Sequence, residues 1–282
     1  RPSGLKPRGS SIGAPGEARC SLLPSPRVCM ATSGAPVKIK LEFFYDCLSP
    51  FSYLAFVVLT RYKTVWKHVD VELKPFLLGG VMASTGNLPP MARPWASSTV
   101  TEGAQHLQRN KDFFNVPNML NSPANFFGPK GPSDKSGLSM DFRYQRTLTA
   151  IRRLHPESLQ EATRLVFEHI WVSKDARDEK GRVAMSEAVL VNICEQAGLS
   201  PAEAEGCVRA SNDPETKELL KASVSDAVSR GAYGAPTMIV SGVSGRGEMV
   251  FFGSDRFEQL AFVCDLPWYG PDPLRPTTVA KL

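Results

Sequence analysis

A strand, a helix and a second strand follow one another within residues 37–73. Residues 37–45 form the apolar run of a buried strand, and residues 50–66 repeat apolar side chains at helical spacing. Residues 69–73 (VDVEL) then alternate as a second strand does. Strands joined by one helix in this way are expected to pair in parallel with a right-handed crossover. The unit therefore predicts an α/β fold.

The rest of the body returns to strands only after a long helical section. Two strands are predicted at 236–240 and 248–253, followed by a helix over 254–266 with Ser254 as its cap. The βαβ and ββα halves, with helices between them, predict a thioredoxin-like domain with a large all-helical insertion. The helices predicted inside the insertion cover 136–153, 155–173, 183–198, a segment from 201, and 213–234.

We divide the chain accordingly into four parts. Residues 1–36 are a disordered leader or targeting segment, and residues 271–282 are a C-terminal tail. Residues 37–75 and 232–270 form the thioredoxin-like domain, and residues 76–231 form the helical insertion.

The basic charge of the chain is concentrated in its first 30 residues. The net charge is +5, and those residues hold five Arg or Lys side chains against one Glu, which leaves the body near neutral. Nucleic-acid binding is therefore not expected, since it needs a basic face on the folded part. The Arg- and Ser-rich start is typical of an organelle transit peptide, or it is a mistranslated leader before Met30.

The last three residues are Ala280-Lys281-Leu282. They are similar to the small-basic-Leu tripeptide that acts as a peroxisomal address, here after a Pro-rich segment that leaves it accessible. The ends together predict a peroxisome, a mitochondrion or both. No apolar run reaches the roughly 20 residues of a membrane span.

The cysteines and histidines give no metal or redox motif. No two of the six cysteines have C-x-x-C spacing, and the four histidines form no H-x-x-x-H pair. We predict no metal and no resident cofactor, and we expect most of the cysteines to be small buried apolar residues. Cys47 is either such a residue or a thiol able to form a mixed disulfide.

The first strand meets its helix in the sequence FFYDCLSPFSYLAF. Ser49 and Pro50 fit an N-cap followed by a proline at the first helical position, and this structural interpretation is the commonest for such a pair. Thioredoxin-like folds hold a thiolate at this corner. Since Ser49 and Ser52 stand where a C-x-x-C pair would, no disulfide can form here. The corner can instead stabilise the thiolate of a bound ligand, through a hydroxyl and a helix end.

Four segments in this order resemble kappa-class glutathione S-transferases: FFYDCLSPFSYLAF, TGNLPP, RGAYGAPTMIV and FFGSDRFEQL. The resemblance spans about residues 37–270, and it extends to bacterial disulfide oxidases and 2-hydroxychromene-2-carboxylate isomerase. It implies a glutathione transferase that conjugates small electrophiles, with possible glutathione peroxidase activity. It also implies that glutathione is a co-substrate and that the protein is a homodimer.

The resemblance assigns roles to particular residues. Ser49 is the catalytic residue that activates the glutathione thiol, and a cis Pro236 lets the backbone of Ala235 pair with the bound peptide. Ser254 and Asp255 receive the γ-glutamyl end. The full predicted glutathione-binding set is Ser49, Pro50, Phe51, Asn87, Ala235, Pro236, Ser254 and Asp255.

One segment departs from the family pattern. The family usually carries a basic residue and an aspartate between positions 91 and 105, where this chain has Ala96 and Gly103.

Two alternatives to the transferase also remain at this point. One is a glutathione-dependent isomerase of the chromene carboxylate type, and the other is a non-catalytic thioredoxin-like adaptor.

Overall fold

The computed structural model describes residues 38–88, 96–131 and 134–275, with the main chain alone for residues 96–104. The predicted leader and the Ala280-Lys281-Leu282 end lie outside these residues. The described elements are β1 (Ile39–Tyr45), α1 (Pro50–Tyr62), β2 (Val69–Pro75), α2 (Leu78–Thr85), α3 (Ala96–Phe113), α4 (Arg143–Leu154), α5 (Leu159–Trp171), α6 (Glu187–Gln196), α7 (Pro201–Ala210), α8 (Pro214–Ser229), β3 (Thr237–Ser241), β4 (Met249–Phe252) and α9 (Phe257–Val263).

The four strands form one mixed sheet in the order β2-β1-β3-β4. β1 pairs with β2 in parallel, and its Phe43 lies opposite Leu73. β1 pairs with β3 antiparallel, and β3 pairs with β4 antiparallel. The predicted βαβ and ββα halves therefore meet at the β1–β3 pairing, which confirms the thioredoxin-like fold with helices between its halves.

Alternation along β1 distributes apolar side chains to two cores. Leu41, Phe43 and Tyr45 belong to the larger core, which includes residues of α1, α5 and α9. Phe44 belongs to a smaller core with residues of α2 and α8. Successive strand residues point to opposite faces, so β1, an inner strand of the sheet, contributes to the packing on both of its sides.

Several predicted helix boundaries are wrong. The helix predicted over 136–153 begins at Arg143, and a short 3-10 turn covers residues 138–140. The reason is tertiary: a Cβ on Gly137 would lie 2.3 Å from the main-chain nitrogen of Gly128, so these two loop segments pack backbone to backbone. The 155–173 helix likewise begins at Leu159, after a 3-10 turn.

The segment after α9 packs against the end of α1 and the turn that follows it. The Trp66 indole donates to the Pro267 carbonyl at 2.8 Å, and the Tyr62 hydroxyl donates to the Gly270 carbonyl at 2.7 Å. Residues 267–270 are thus held to the body, whereas the predicted accessibility of the last three residues lies outside the described part of the chain. Among the described residues, no helix has the length and apolar character needed to cross a membrane.

Candidate active site

Ser49 caps α1 and is nearly fully buried. Its backbone is extended, Pro50 takes the first helical position, and the Ser49 Oγ accepts the N–H of Ser52 at 3.1 Å. Ser and Pro suit these positions because a serine oxygen accepts a free helix N–H and proline has none to leave unpaired. The predicted cap is confirmed. It places the Ser49 hydroxyl at the helix end that carries partial positive charge.

The loop before β3 faces this hydroxyl. The Ala235–Pro236 peptide bond is cis, as predicted. The Ser49 hydroxyl donates to the Ala235 carbonyl at 3.4 Å, which is long for an O–H···O hydrogen bond. The hydroxyl proton is therefore weakly held and able to turn toward a better acceptor.

The turn between β4 and α9 also reaches this loop. The Gly253 N–H donates to the Pro236 carbonyl at 3.0 Å, and the next two residues are Ser254 and Asp255. Ser254 is buried and Asp255 is exposed. The two predicted γ-glutamyl residues therefore directly follow a residue that is hydrogen-bonded to the cis proline.

Ser254 is not the N-cap of the last helix, and that prediction was wrong. α9 begins at Phe257 with Arg256 in the cap position. Gly253 has a φ of 109°, and the chain turns through residues 253–255 before the helix starts. Residues 254 and 255 lie in a turn and residue 256 is not helical, so Ser254 stands three residues before the first residue of α9.

Asn87 joins the same loop from the other side. It follows Gly86, which ends α2 in the left-handed conformation. The Asn87 Nδ2 donates to the Tyr233 carbonyl at 2.7 Å, and its Oδ1 accepts the N–H of Leu88 at 2.9 Å. Hydrogen bonds thus link the four chain segments that carry the eight predicted residues.

An aromatic contact covers the start of α1. The half-buried Phe51 ring lies 5.7 Å from the imidazole of His106 on α3. His106 is exposed and was not predicted as a site residue. Its place could not be read from the sequence, because residues 91–105 were treated as a loop whereas α3 begins at Ala96. Gly103 also lies within this helix.

The sequence interpretation missed Asp46. Its Oδ1 accepts the Leu48 N–H and the Tyr144 hydroxyl, both at 3.0 Å, and its Oδ2 accepts the Leu78 N–H at 2.8 Å. Burial raises the pKa of the Asp46 carboxyl, and these three hydrogen bonds oppose the rise. The available signal was a single acid within the apolar run FFYDC, three residues before Ser49.

Cys47 points into the larger core and is fully buried. Burial raises the pKa of its thiol well above the usual value. A buried, protonated thiol is a poor nucleophile, so the structure favours a packing role over a mixed disulfide. The other described cysteines (194, 207 and 264) are also buried and free.

Comparison with known proteins agrees with this arrangement. Residues 40–263 match the family model described as a DSBA-like thioredoxin domain. The chain is 35% identical to glutathione S-transferase kappa 1 of Rattus norvegicus, across 88% of this chain and 99% of the relative. It is 33% identical to the Homo sapiens protein of the same name, over the same shares of both chains.

The chain belongs to the kappa class of glutathione S-transferases. This kappa-class chain is also similar to the solved structure of a 2-hydroxychromene-2-carboxylate isomerase, with a TM-score of 0.59 and 21% identity. The match covers 80% of this chain and 94% of the isomerase. At that identity the likeness concerns the fold alone, and it does not carry the isomerase activity over to this chain.

Proposed function

We propose that this kappa-class chain binds glutathione across the Ser49 corner and stabilises its thiolate for attack on small electrophiles. One observation carries the proposal: the Ser49 Oγ caps α1 and also lies 3.4 Å from the Ala235 carbonyl before the cis proline. A peptide thiol lying along the Ala235 backbone would therefore meet a hydroxyl and a helix end together.

A hydroxyl hydrogen bond and a helix end together supply enough free energy to lower the pKa of a bound thiol. A free thiol with a pKa of about 8.5 is mostly protonated at neutral pH, and lowering that pKa by about 2 units needs about 2.7 kcal/mol. A hydroxyl hydrogen bond to a charged group contributes about 1.5–3 kcal/mol. The helix end adds about 0.3–1 kcal/mol. Ser49 can supply the stabilisation as a hydrogen-bond donor, without itself acting as a nucleophile.

The remaining predicted residues would hold the peptide. Ala235, before Pro236, would pair with the cysteinyl backbone of glutathione. The exposed carboxylate of Asp255 would meet the γ-glutamyl ammonium, and Ser254 precedes it on the turn whose Gly253 donates to Pro236. Asn87 would fix the Tyr233 loop and with it the position of Ala235.

The reaction then needs only the bound thiol and the electrophile. The thiol proton leaves to solvent, and the Ser49 hydroxyl turns from the Ala235 carbonyl to donate to the sulfur. The sulfur lone pair forms a new bond to the electrophilic carbon, and the leaving group departs with its electron pair. In the peroxidase reaction, two glutathione molecules reduce one hydroperoxide to an alcohol and water and become glutathione disulfide.

Ser49→Ala tests the proposal against Ser52→Ala. Ser52 is a buried serine whose hydroxyl has no hydrogen-bond partner among the described residues, so its removal is a matched chemical change three residues away. With glutathione and an activated aryl halide near neutral pH, we expect kcat to fall about 20-fold in Ser49→Ala, because a bound-thiol pKa that returns from about 6.5 to about 8.5 leaves only a few per cent of the thiol ionised. Ser52→Ala should stay within about threefold of wild type.

Equal activity of the two variants would contradict the proposal. Turnover of a hydroxychromene carboxylate, without conjugation of the aryl halide, would replace the transferase by the isomerase. Absence of all turnover and of glutathione binding would leave the adaptor alternative. Turnover of an organic hydroperoxide would support the peroxidase activity.

The assembly and location follow as further proposals. We propose a homodimer that needs no resident cofactor and works on small electrophiles in a peroxisome, a mitochondrion or both. The support is the family membership for the dimer and the two chain ends for the location. Sedimentation tests the dimer.

A fluorescent fusion of the protein that lacks Ala280-Lys281-Leu282 should lose peroxisomal localisation if that end is the address.

A further inference from the structure

The turn that precedes Ser49 is held by side chains of the helical insertion. The Tyr45 carbonyl accepts from Gln145 on α4 at 2.8 Å, and the Cys47 carbonyl accepts from the Trp171 indole on α5 at 2.8 Å. Gln145 also donates to the Phe76 carbonyl at 2.8 Å, just after β2. The insertion therefore supplies donors to both turns that leave the carboxyl ends of β1 and β2.

Asp46 is the residue that ties these turns to each other. Its carboxylate accepts from Leu48 in its own turn and from Leu78, the first residue of α2. α2 ends two residues before Asn87, which contacts the cis-proline loop. One carboxylate thus positions the turn bearing Ser49 and the helix leading to Asn87.

Tyr144 is the side-chain donor to this carboxylate. Its hydroxyl lies 3.0 Å from the Asp46 Oδ1, and both side chains are buried. Within the described ranges Asp46 has no ion pair, so neutral donors alone satisfy it. Removing one donor from a buried carboxylate costs more than the same change at the surface, because the buried group lies away from bulk water.

We propose that Asp46 and Tyr144 are a positioning pair for the glutathione site. The proposal rests on the proposed function and assigns neither residue a contact with glutathione. The pair fixes where the Ser49 hydroxyl lies relative to the Ala235 backbone. Small displacements at a reacting centre change rates strongly even when their cause is remote, so a weakened pair should affect chemistry and not only stability.

Tyr144→Phe, compared with Tyr45→Phe, tests the pair. The Tyr45 hydroxyl lies 2.6 Å from Thr163 Oγ1. The Tyr45 side chain is as deeply buried as that of Tyr144, but its hydrogen-bond partner is Thr163 and not Asp46. Both variants lose one buried phenolic hydroxyl. We expect Tyr144→Phe to lower kcat/KM for conjugation about tenfold and to raise the pKa of the bound glutathione thiol. Tyr45→Phe should lower thermal stability to a similar extent, but it should keep the wild-type kcat/KM and the wild-type pKa of the bound glutathione thiol.

Asp46→Asn gives a second, independent measurement. Its amide offers two N–H groups where three donors now converge, so one protein N–H or O–H must lose its acceptor. We expect the same rise in bound-thiol pKa as in Tyr144→Phe. If Tyr144→Phe does not fold, the bound-thiol pKa in Asp46→Asn decides whether the positioning pair is correct.

The outcomes separate the pair from the function. A wild-type protein that neither binds glutathione nor lowers its thiol pKa contradicts the proposed function, and the pair with it. A wild-type protein that does both, with Tyr144→Phe matching Tyr45→Phe in kinetics and thiol pKa, overturns the positioning pair and leaves the function intact.

Discussion

The Ser49 hydroxyl and the Ala235 carbonyl lie 3.4 Å apart, although 186 positions separate them in the sequence. The contact joins the β1–α1 turn to the cis-proline loop before β3. Because β1 and β3 are adjacent strands, the sheet itself sets this distance. A site built on strand ends in this way is held by the core of the domain and does not depend on a single loop.

Gly234 controls how closely Phe252 approaches the cis-proline loop. A Cβ at this position would lie 2.6 Å from the Phe252 ring, which packs on Tyr233. Gly234→Ala should displace the ring, lower the free energy of unfolding by about 1–3 kcal/mol, and weaken glutathione binding. Chemical unfolding and calorimetric titration measure the two effects.

Gly206→Ala is the matched control. It lies in α7, and its added Cβ would meet no atom within 4 Å. Replacing an open helical glycine should stabilise the protein by about 0.5–1 kcal/mol and leave glutathione binding unchanged. If both variants behave alike, the steric role of Gly234 is wrong.

The Glu42 carboxyl should make the free energy of unfolding depend on pH in the acid range. Burial alone would raise the pKa of Glu42, but hydrogen bonds from Arg230 and Lys74 outweigh it and lower the pKa to about 2. A lowered pKa stabilises the fold above the unfolded value, near 4.3, and this stabilisation is lost as pH falls from there toward 2. We expect Glu42 to account for roughly 2–3 kcal/mol of that loss.

Urea unfolding of Glu42→Gln between pH 2 and pH 6 checks this dependence. The variant should be less stable than wild type near pH 6, since Arg230 and Lys74 both lose the Glu42 carboxylate, although Arg230 keeps its contacts with Glu248 and Asp226. Its stability should then fall less steeply with acid. Parallel curves for the two proteins would show that Glu42 is not the group responsible.

Tyr62 should anchor the segment that follows α9. Its hydroxyl donates to the Gly270 carbonyl and accepts from the Tyr269 N–H, both at 2.7 Å. Tyr62→Phe leaves two main-chain groups without this partner, at a cost of about 1–3 kcal/mol. Limited proteolysis should then cut after residue 266 faster than in wild type.

Tyr269→Phe provides the comparison for that experiment. The Tyr269 side chain is 54% exposed, and it is the main-chain N–H of this residue that contacts Tyr62. Its replacement should leave the cleavage rate unchanged. Unchanged cleavage in Tyr62→Phe as well would mean that other contacts of the segment, such as that between Trp66 and Pro267, are sufficient.

The strands and the Ser-Pro cap were predictable because their signals are local. β1 is an apolar run bounded by a turn, and Ser49 with Pro50 is a short-range capping pattern. Ser254 preceded a helix in the same way, yet it is not a cap. There the chain turns through residues 254–255 before the helix begins, directly after Gly253 donates to Pro236, a residue 17 positions earlier in the chain.

Asp46 and Tyr144 could not be paired from the sequence for a similar reason. They are 98 positions apart and meet only when α4 packs against the carboxyl ends of β1 and β2. The sequence shows an acid in an apolar run and a tyrosine at the start of a helix, and neither pattern identifies a partner. Buried polar contacts of this kind depend on tertiary packing, which overrides local preference.

The pKa of the thiol of bound glutathione tests most directly the central claim that Ser49 stabilises the thiolate. Thiolate absorbance is followed against pH for glutathione bound to wild type, Ser49→Ala and Ser52→Ala. We predict a bound-thiol pKa about 2 units below the free value of about 8.5 in wild type and Ser52→Ala, and a nearly free value in Ser49→Ala. A bound thiol that ionises at the free value in wild type, or at the same lowered value in Ser49→Ala, would contradict the role of Ser49.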